Sequence, residues 1–304
     1  MHKLYLTGSS GFVGHYIADA VAEGGFGECQ LLTMPTDTDI RDRDALLESI
    51  AAAKPDWVIH LAARSFVPDS FADPRLTLDV NLLGTLNLLS VLRESSFKGR
   101  FLYVSSGDVY GSVPESDLPV LESRLPGPRN PYAVSKLSAE LLCQQWHFSE
   151  GLDVMVARPF NHIGPRQESR FVVAGLAEQV SRIAAGLQKP ELVVGDIDVS
   201  RDFSDVRDVV KAYAALLRNG RAGSTYNVSS GREVKIRWIL DELCRLGEVE
   251  PVVLQDPSRL RLNEQRRMVA SSKRLKRDTN WEPSIPLEVS LRQILDHFRT
   301  TNES

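Results

Sequence analysis

Cysteine is scarce in this chain: Cys29, Cys143 and Cys244 are its only three, far apart and each in an apolar stretch. That spacing offers neither a disulfide framework nor a set of metal ligands, so they are expected to be small buried hydrophobes in a reducing compartment. A long apolar run is missing too. Nothing approaches the ~18 residues that would span a membrane, and the chain runs straight into a strand. The expectation is therefore a cytoplasmic protein with no metal and no membrane partner. Neither charge sign dominates, since 36 Lys and Arg face 40 Asp and Glu. This argues against a nucleic-acid surface while leaving room for a local basic pocket. Internal repeats and low-complexity tracts are also lacking. At 304 residues the chain is long enough for one large domain and a smaller companion.

What is present begins at the N-terminus. Gly8-Ser9-Ser10-Gly11-Phe12-Val13-Gly14 stands directly behind the apolar Leu4-Tyr5-Leu6, and reads as strand, glycine turn, helix. A dinucleotide-binding turn needs one glycine to bend, one to admit the pyrophosphate, and one to let helix and strand touch. Gly8, Gly11 and Gly14 fit those positions. A helix from Phe12 to Glu23 would add its dipole where phosphates sit. A glycine-rich loop between any strand and helix is the plainer alternative, and the location favours the cradle.

Downstream, predicted strands at Gln30 to Thr33, Trp57 to Leu61, Arg100 to Ser105 and Asp153 to Arg158 alternate with helices. Those lie near Arg43 to Ala53, Leu76 to Glu94 and Pro131 to Glu150. Near-continuous apolar strands in this alternation predict an α/β fold, a Rossmann-type doubly wound parallel sheet with ligands at the carboxyl ends of its strands. The looser, Pro- and Gly-richer remainder predicts a helix near Val172 to Leu187, a short strand at Leu192 to Val194, a helix from Val206 to Arg218 and a strand at Tyr226 to Val228. It reads as a smaller C-terminal substrate-binding domain. The expected division is 1–165 and 166–304, with roughly 203–228 returning to the first domain.

The helix beginning Asn130-Pro131-Tyr132 has an N-cap and a proline in the right order. It places Tyr132 and Lys136 on one face. A phenol has a pKa of about 10, and a neighbouring ammonium lowers it, which suits proton transfer to a carbonyl oxygen. Tyr and Lys four apart are commonplace on surface helices. Their company is not, because Ser105-Ser106-Gly107 ends a strand where the sheet's edge opens. Ser-Ser-Gly alone would be ordinary turn chemistry.

On these residues the chain resembles the extended short-chain dehydrogenase/reductases that act on nucleotide sugars, over nearly its whole length. The resemblance implies that Gly8, Gly11, Phe12, Val13 and Gly14 line the dinucleotide, that Asp39 and Ile40 meet adenine, and that Leu61, Ala62 and Ala63 pack along the cofactor. It implies a structural bond for Asn81 and a passage by the nicotinamide for Arg158-Pro159-Phe160-Asn161, with Asn161 reaching substrate. In Arg201-Asp202-Phe203 with Asp208, it gives Arg201 the substrate pyrophosphate. Ser106, Tyr132 and Lys136 become the catalytic set: Ser106 bonds the ketone oxygen, Tyr132 protonates it and Lys136 holds the nicotinamide ribose. Ser105 and Asp108 join Ser106 and Tyr132 as substrate residues. His162 is left between a ligand contact and ordinary packing.

Family members that dehydrate sugars keep an acidic pair, or a glutamate, where this chain has Gly107-Asp108. Members that epimerise C3 and C5 have a cysteine at the Asp108 position. Simple carbonyl reduction or 4-epimerisation remains. Arg166, and Asp256 to Glu264 resembling Arg-Pro-x-Glu with Leu262 for the proline, favour a GDP-sugar, with Arg261 near the diphosphate and Glu264 near the ribose. Arg266 and Arg267 are read as a solvated basic face. The resemblance thus implies NAD(P)H-dependent reduction of the C4 ketone of GDP-4-keto-6-deoxy-D-mannose to GDP-D-rhamnose, a precursor of cell-surface polysaccharide. The second strand runs into Thr33-Met34-Pro35, with no acid to repel a 2′-phosphate, so NADPH is expected and NADH tolerated. A 4,6-dehydratase or 4-epimerase is the rival reading, and a non-catalytic cofactor sensor a further one. A homodimer through the helices of Leu76 to Leu92 and Val134 to Trp146 is expected from the family, although internal packing predicts the same apolar faces.

Overall fold

The inner strands of the first half are mostly apolar and buried because both their faces are covered. The computed structural model describes residues 1–35, 38–259 and 265–302. In chain order its elements begin β1 (His2–Thr7), α1 (Phe12–Ala22), β2 (Cys29–Thr33), α2 (Arg43–Ala53), β3 (Trp57–His60), α3 (Val67–Ala72), α4 (Pro74–Leu78), α5 (Gly84–Glu94), β4 (Arg100–Val104), α6 (Pro131–Glu150) and β5 (Asp153–Pro159). They continue with β6 (Asn161–Ile163), α7 (Val172–Ala184), β7 (Glu191–Val194), β8 (Ser200–Asp205), α8 (Val206–Asn219) and β9 (Thr225–Val228). The chain closes with β10 (Glu233–Lys235), α9 (Ile236–Gly247), β11 (Val252–Gln255), α10 (Lys273–Thr279) and α11 (Leu287–Asn302).

Six parallel strands form one sheet in the order β2-β1-β3-β4-β5-β9. Successive side chains of a strand point to opposite faces. Leu4, Leu6, Ile59, Leu102, Val104, Met155 and Ala157 therefore pack on one side with α1 and α8. Tyr5, Val58, Phe101, Tyr103, Val154 and Val156 pack on the other with α2, α5 and α6. The direction of sheet growth reverses between β1 and β3, and a crevice opens at their carboxyl ends.

The remaining elements make a second core. Ile163, Leu192, Val194 and Phe203 of the short strands bury against α7, α9 and α11. The strands form a three-stranded sheet, β10-β8-β6, and a two-stranded one, β11-β7. The late chain also reaches back. Trp281 joins the core shared by α1 and α8, and its indole donates to the Asp208 carbonyl at 3.0 Å. The Asp208 carboxylate accepts from the backbone of Ser284 and Ile285 at 2.7 and 2.8 Å. Among the described residues no helix is long and apolar enough to cross a membrane. Cys143 is buried, and Cys29 and Cys244 are half-buried.

The helix expected over Leu76 to Glu94 is broken. Asp73 caps α4 through the Leu76 amide at 2.9 Å, and a π turn over Asp79–Leu83 separates α4 from α5. The apolar pattern tolerates the one extra residue of such a turn, so the sequence does not reveal it. The predicted helix to Leu187 ends early at Ala184, since Gly186 turns the chain with φ +70°.

Candidate active site

The crevice begins at the glycine turn. Gly8 has φ +73°, and a Cβ there would stand 2.7 Å from the Ala62 amide nitrogen. At Gly14 a Cβ would meet the carbonyl oxygens of Gly8 and Ser9 at 2.5 Å. Gly11 is the N-cap of α1 and supplies no side-chain acceptor, nor does the first turn hold an acid. The leading N–H groups of α1 are thus left for an external anion, and a side chain at Gly11 would meet only the Gly8 carbonyl at 3.4 Å and otherwise fill the cradle mouth. These features fit a dinucleotide pyrophosphate. Leu61 and Ala62 line the neighbouring edge, their amides bonded to the Thr7 carbonyl and hydroxyl at 3.3 Å each. Asp39 is exposed and gripped by Arg41, which holds its carboxyl below the usual range, while Ile40 is buried.

Asn130 caps α6 by accepting from the Ala133 amide at 2.7 Å, and Pro131 opens the helix. This sets Tyr132 in the first turn and Lys136 one turn on. Ser106 stands near enough to the Tyr132 hydroxyl to act on its acidity. Burial pushes the phenol up, the Asp108 carboxylate adds to the rise, and Ser106 opposes it. The expectation that Lys136 would make Tyr132 more acidic is corrected here, because burial sets the direction. Lys136 is only 4% exposed, and burial pushes it down to about 8 against the pull of Cys143 and Glu140. Its ammonium lies 4.7 Å from the centre of the Tyr103 ring.

Ser105 does not face a ligand, which corrects its place among the substrate residues. It is 2% exposed, and its hydroxyl donates to Glu140 at 2.9 Å. Glu140 in turn holds Arg158 through bonds of 3.0 and 2.5 Å, and both partners are buried. The Arg158 guanidinium stacks 4.8 Å from the Tyr110 ring, whose hydroxyl donates to Asn227 at 2.7 Å. Ser106, at the start of the 3₁₀ turn Gly107–Tyr110, accepts from the Asp108 amide at 3.1 Å and is half-buried.

A second polar line was not foreseen. The Thr85 hydroxyl donates to the Asn81 carbonyl at 2.6 Å, so its oxygen accepts from His60 Nε2 at 2.9 Å. His60 Nδ1 then accepts from the Thr7 hydroxyl at 2.7 Å. Burial, with the Lys136 charge behind it, pushes His60 down to about 3 and keeps it neutral. In the π turn, the Asn81 side chain donates to the Ser135 hydroxyl at 2.8 Å, and Ser135 donates to the Tyr132 carbonyl at 2.7 Å. Hydrogen bonds therefore run from the strand end before Gly8 to the turn that carries Tyr132. Thr7 and His60 close otherwise apolar strands, and that was the available signal.

On the substrate side, Asn161 is exposed at the start of β6, beside Phe203 of β8. His162 is packing rather than a free ligand group: it stacks on Phe12 at 6.1 Å, and its Nδ1 donates to the Phe160 carbonyl at 3.0 Å. Arg166 is not brought to the site. Its φ of +70° turns it onto the flank of α1, where it pairs with Asp19 at 2.5 Å and covers the Tyr16 ring at 4.5 Å. In the Arg-Asp-Phe signature, Asp202 is buried and accepts from the amides of Ser230, Gly231 and Ala270. Asp208 ties down the late chain, and Arg201, half-buried on β8, donates to the Ser200 carbonyl at 2.8 Å. Arg261 and Glu264 lie outside the described residues. Arg266 pairs with Asp196, and Arg267 bridges Glu115 and Glu233, so the expected basic face is largely neutralised.

Comparison with known proteins adds to this geometry. A family model described as GDP-mannose 4,6 dehydratase matches residues 32–294. The GDP-6-deoxy-D-mannose reductase of Pseudomonas aeruginosa is 51% identical over 298 residues, 98% of this chain and 97% of its own length. The chain belongs to the GDP-mannose 4,6-dehydratase family of extended short-chain dehydrogenase/reductases. A solved structure of RMD from Pseudomonas aeruginosa complexed with NADPH matches with a TM-score of 0.95 and 50% identity, covering 99% of this chain and 100% of that one. Thermus thermophilus UDP-glucose 4-epimerase in complex with NAD matches with a TM-score of 0.85 and 31% identity, covering 98% of this chain and 99% of that one. The dehydratase family thus shares its scaffold with enzymes of differing names, so the reaction has to be argued from the site.

Proposed function

We propose that the protein is an NADPH-dependent reductase of the C4 ketone of GDP-4-keto-6-deoxy-D-mannose, yielding GDP-6-deoxy-D-mannose, also called GDP-D-rhamnose. The observation that carries this is 51% identity to the Pseudomonas aeruginosa GDP-6-deoxy-D-mannose reductase along 98% of this chain. The site supports it in detail.

Gly8, Gly11, Phe12, Val13 and Gly14 would hold the pyrophosphate, Asp39 and Ile40 the adenine end, and Leu61, Ala62 and Ala63 the near wall. NADH would be accepted less well. The bound cofactor supplies hydride. Tyr132 gives its hydroxyl proton to the C4 oxygen, and Ser106, close to that phenol, donates a second hydrogen bond. Tyr132 lies in the first turn of a 20-residue helix, so the dipole of α6 favours the phenolate left behind. Lys136 completes the set toward the nicotinamide ribose. Asp108, Asn161 and Arg201 face the sugar and its diphosphate, and Arg261 and Glu264 are retained for the nucleotide.

Dehydratases and 4-epimerases begin by oxidising the sugar, with tyrosine as base. Dehydratases of the family also keep an acidic pair, or a glutamate, where this chain has Gly107-Asp108, which supports simple reduction instead. We take 1–165 as the cofactor half, joined by 203–228, and 166–304 as the substrate half of a cytoplasmic enzyme. A second copy of the chain is the partner. Val134, Leu141 and Phe148, seven apart on α6, leave an apolar stripe exposed, and Leu83 and Leu86 are exposed too, which supports pairing of α5 and α6 across a homodimer.

The test is one assay with purified protein, NADPH and GDP-4-keto-6-deoxymannose made in place, the product sugar being identified by NMR. Stoichiometric NADPH consumption with a 6-deoxymannose product is expected. No consumption, beside turnover of a UDP- or dTDP-keto-sugar, would overturn the substrate.

A further inference from the structure

Several enclosed guanidinium groups among the described residues keep a carboxylate: Arg100 has Asp153, Arg124 has Asp117, Arg158 has Glu140 and Arg207 has Asp205. Arg64 differs from these. It is half-buried, its Nε is sealed from solvent without a hydrogen bond, and no carboxylate among the described residues pairs with it. Arg124 and Arg158 also leave one nitrogen unbonded, but each retains its counter-charge. A cation with no carboxylate beside it can take an external anion through the nitrogens that remain open.

The position is built rather than loose. The Asn81 side chain clamps the Arg64 backbone from both sides, accepting from its amide at 2.7 Å and donating to its carbonyl at 3.1 Å. That same side chain holds Ser135, and through it the Tyr132 turn. Two residues before Arg64 stands Ala62, whose amide nitrogen comes within 2.7 Å of where a Gly8 Cβ would lie. Arg64 is thus fixed at the carboxyl edge of the sheet, between the phosphate turn and the catalytic helix.

We infer that Arg64 is a phosphate anchor, a planar cation whose counter-charge is a phosphate oxygen of a bound ligand. A guanidinium meets phosphate through two parallel bonds, and its outer nitrogens, unlike Nε, are not sealed. The inference rests on the reading above in taking nucleotide ligands, and two of them carry the group: the dinucleotide and the GDP-sugar.

Arg64→Gln and Arg64→Lys separate the sources. NADPH affinity is read by nucleotide fluorescence, GDP affinity by calorimetry, and the ligand-free fold by thermal melting. The expected result is a tenfold or greater loss of affinity for one ligand in Arg64→Gln and a smaller loss in Arg64→Lys. The ligand-free melting temperature should be unchanged or raised, since an unpaired charge is removed. Loss in the NADPH arm assigns the anchor to the cofactor, and loss in the GDP arm to the substrate. Unchanged affinities beside normal wild-type binding overturn the anchor alone, as does a lowered melting temperature without an affinity change. If the wild-type protein binds neither nucleotide, the anchor and the proposed function fall together.

Discussion

His60 donates a 2.9 Å hydrogen bond from Nε2 to the hydroxyl of Thr85, twenty-five residues later in α5. That single orientation fixes the tautomer, because Nδ1 must then accept from Thr7. His60→Phe would leave Thr7 and Thr85 buried with that partner lost. A stability loss of about 1–3 kcal/mol is expected. If the line positions Tyr132, kcat should fall more than KM changes. Denaturant melts and steady-state kinetics check both, and an unchanged kcat would make the line purely structural. With His60 held to about 3, no rate inflection near the usual imidazole range should come from it.

Tyr132→Phe removes the proton donor and nothing else of size. Reduction should drop on the order of 10²–10⁴-fold, the usual range for a lost general acid. NADPH binding, followed by fluorescence titration, should stay intact. Residual turnover near the wild-type rate would mean that the proton comes from elsewhere.

Lys136 is charged where burial disfavours it, so activity and stability should oppose each other. Its folded value is about 8 against an ordinary 10.5. Between those two values the unfolded state binds the extra proton, and stability should rise with pH across that window. Below it the charged form carries the full cost, and Lys136→Met should raise stability near neutral pH by roughly 2–3 kcal/mol while reduction is lost. Thermal melts at pH 7 and pH 9 of both proteins test this; a wild-type melting curve indifferent to pH would sink it.

Glu140 and Arg158 form a charge pair with almost no solvent contact. Glu140→Ala strands a buried guanidinium, and a loss of about 3–5 kcal/mol is expected. Replacing both partners by leucine and methionine should cost far less. Urea melts of the single and double variants give the comparison, and equal losses would show that packing, not charge, dominates.

The exposed stripe on α6 predicts assembly. Phe148 is 79% exposed and Leu141 56%, unusual for such residues on a helix otherwise buried on its inner face. Leu141→Glu with Phe148→Glu should shift the protein from two copies to one in light scattering after size exclusion. A wild-type monomer would refute the pairing.

The glycine turn and Tyr132-x-x-x-Lys136 were legible because each depends on local spacing along one turn or one helix face. The sheet was legible because strands covered on both faces must be mostly apolar. Ser105 could have been read as well: it follows Tyr103 and Phe101 on the alternation, and that face is covered by α6. Arg166 could not, since its partner Asp19 lies 147 positions away. Nor could the π turn, whose extra residue leaves the apolar spacing intact. Thr7, His60 and Thr85 satisfy one another across three separate segments, and no short window of sequence contains such an arrangement.

The late chain's grip on α8, through Trp281 and the Asp208 carboxylate, bears on how such enzymes exchange specificity. A cut after Pro165 would not yield two transplantable cassettes, because the front piece would lack a helix and an edge strand and the back piece would carry their orphaned clasp. Chimeras between relatives should therefore succeed only when the tail travels with the front, or when the α7, α9 and α11 cluster is grafted as an insert.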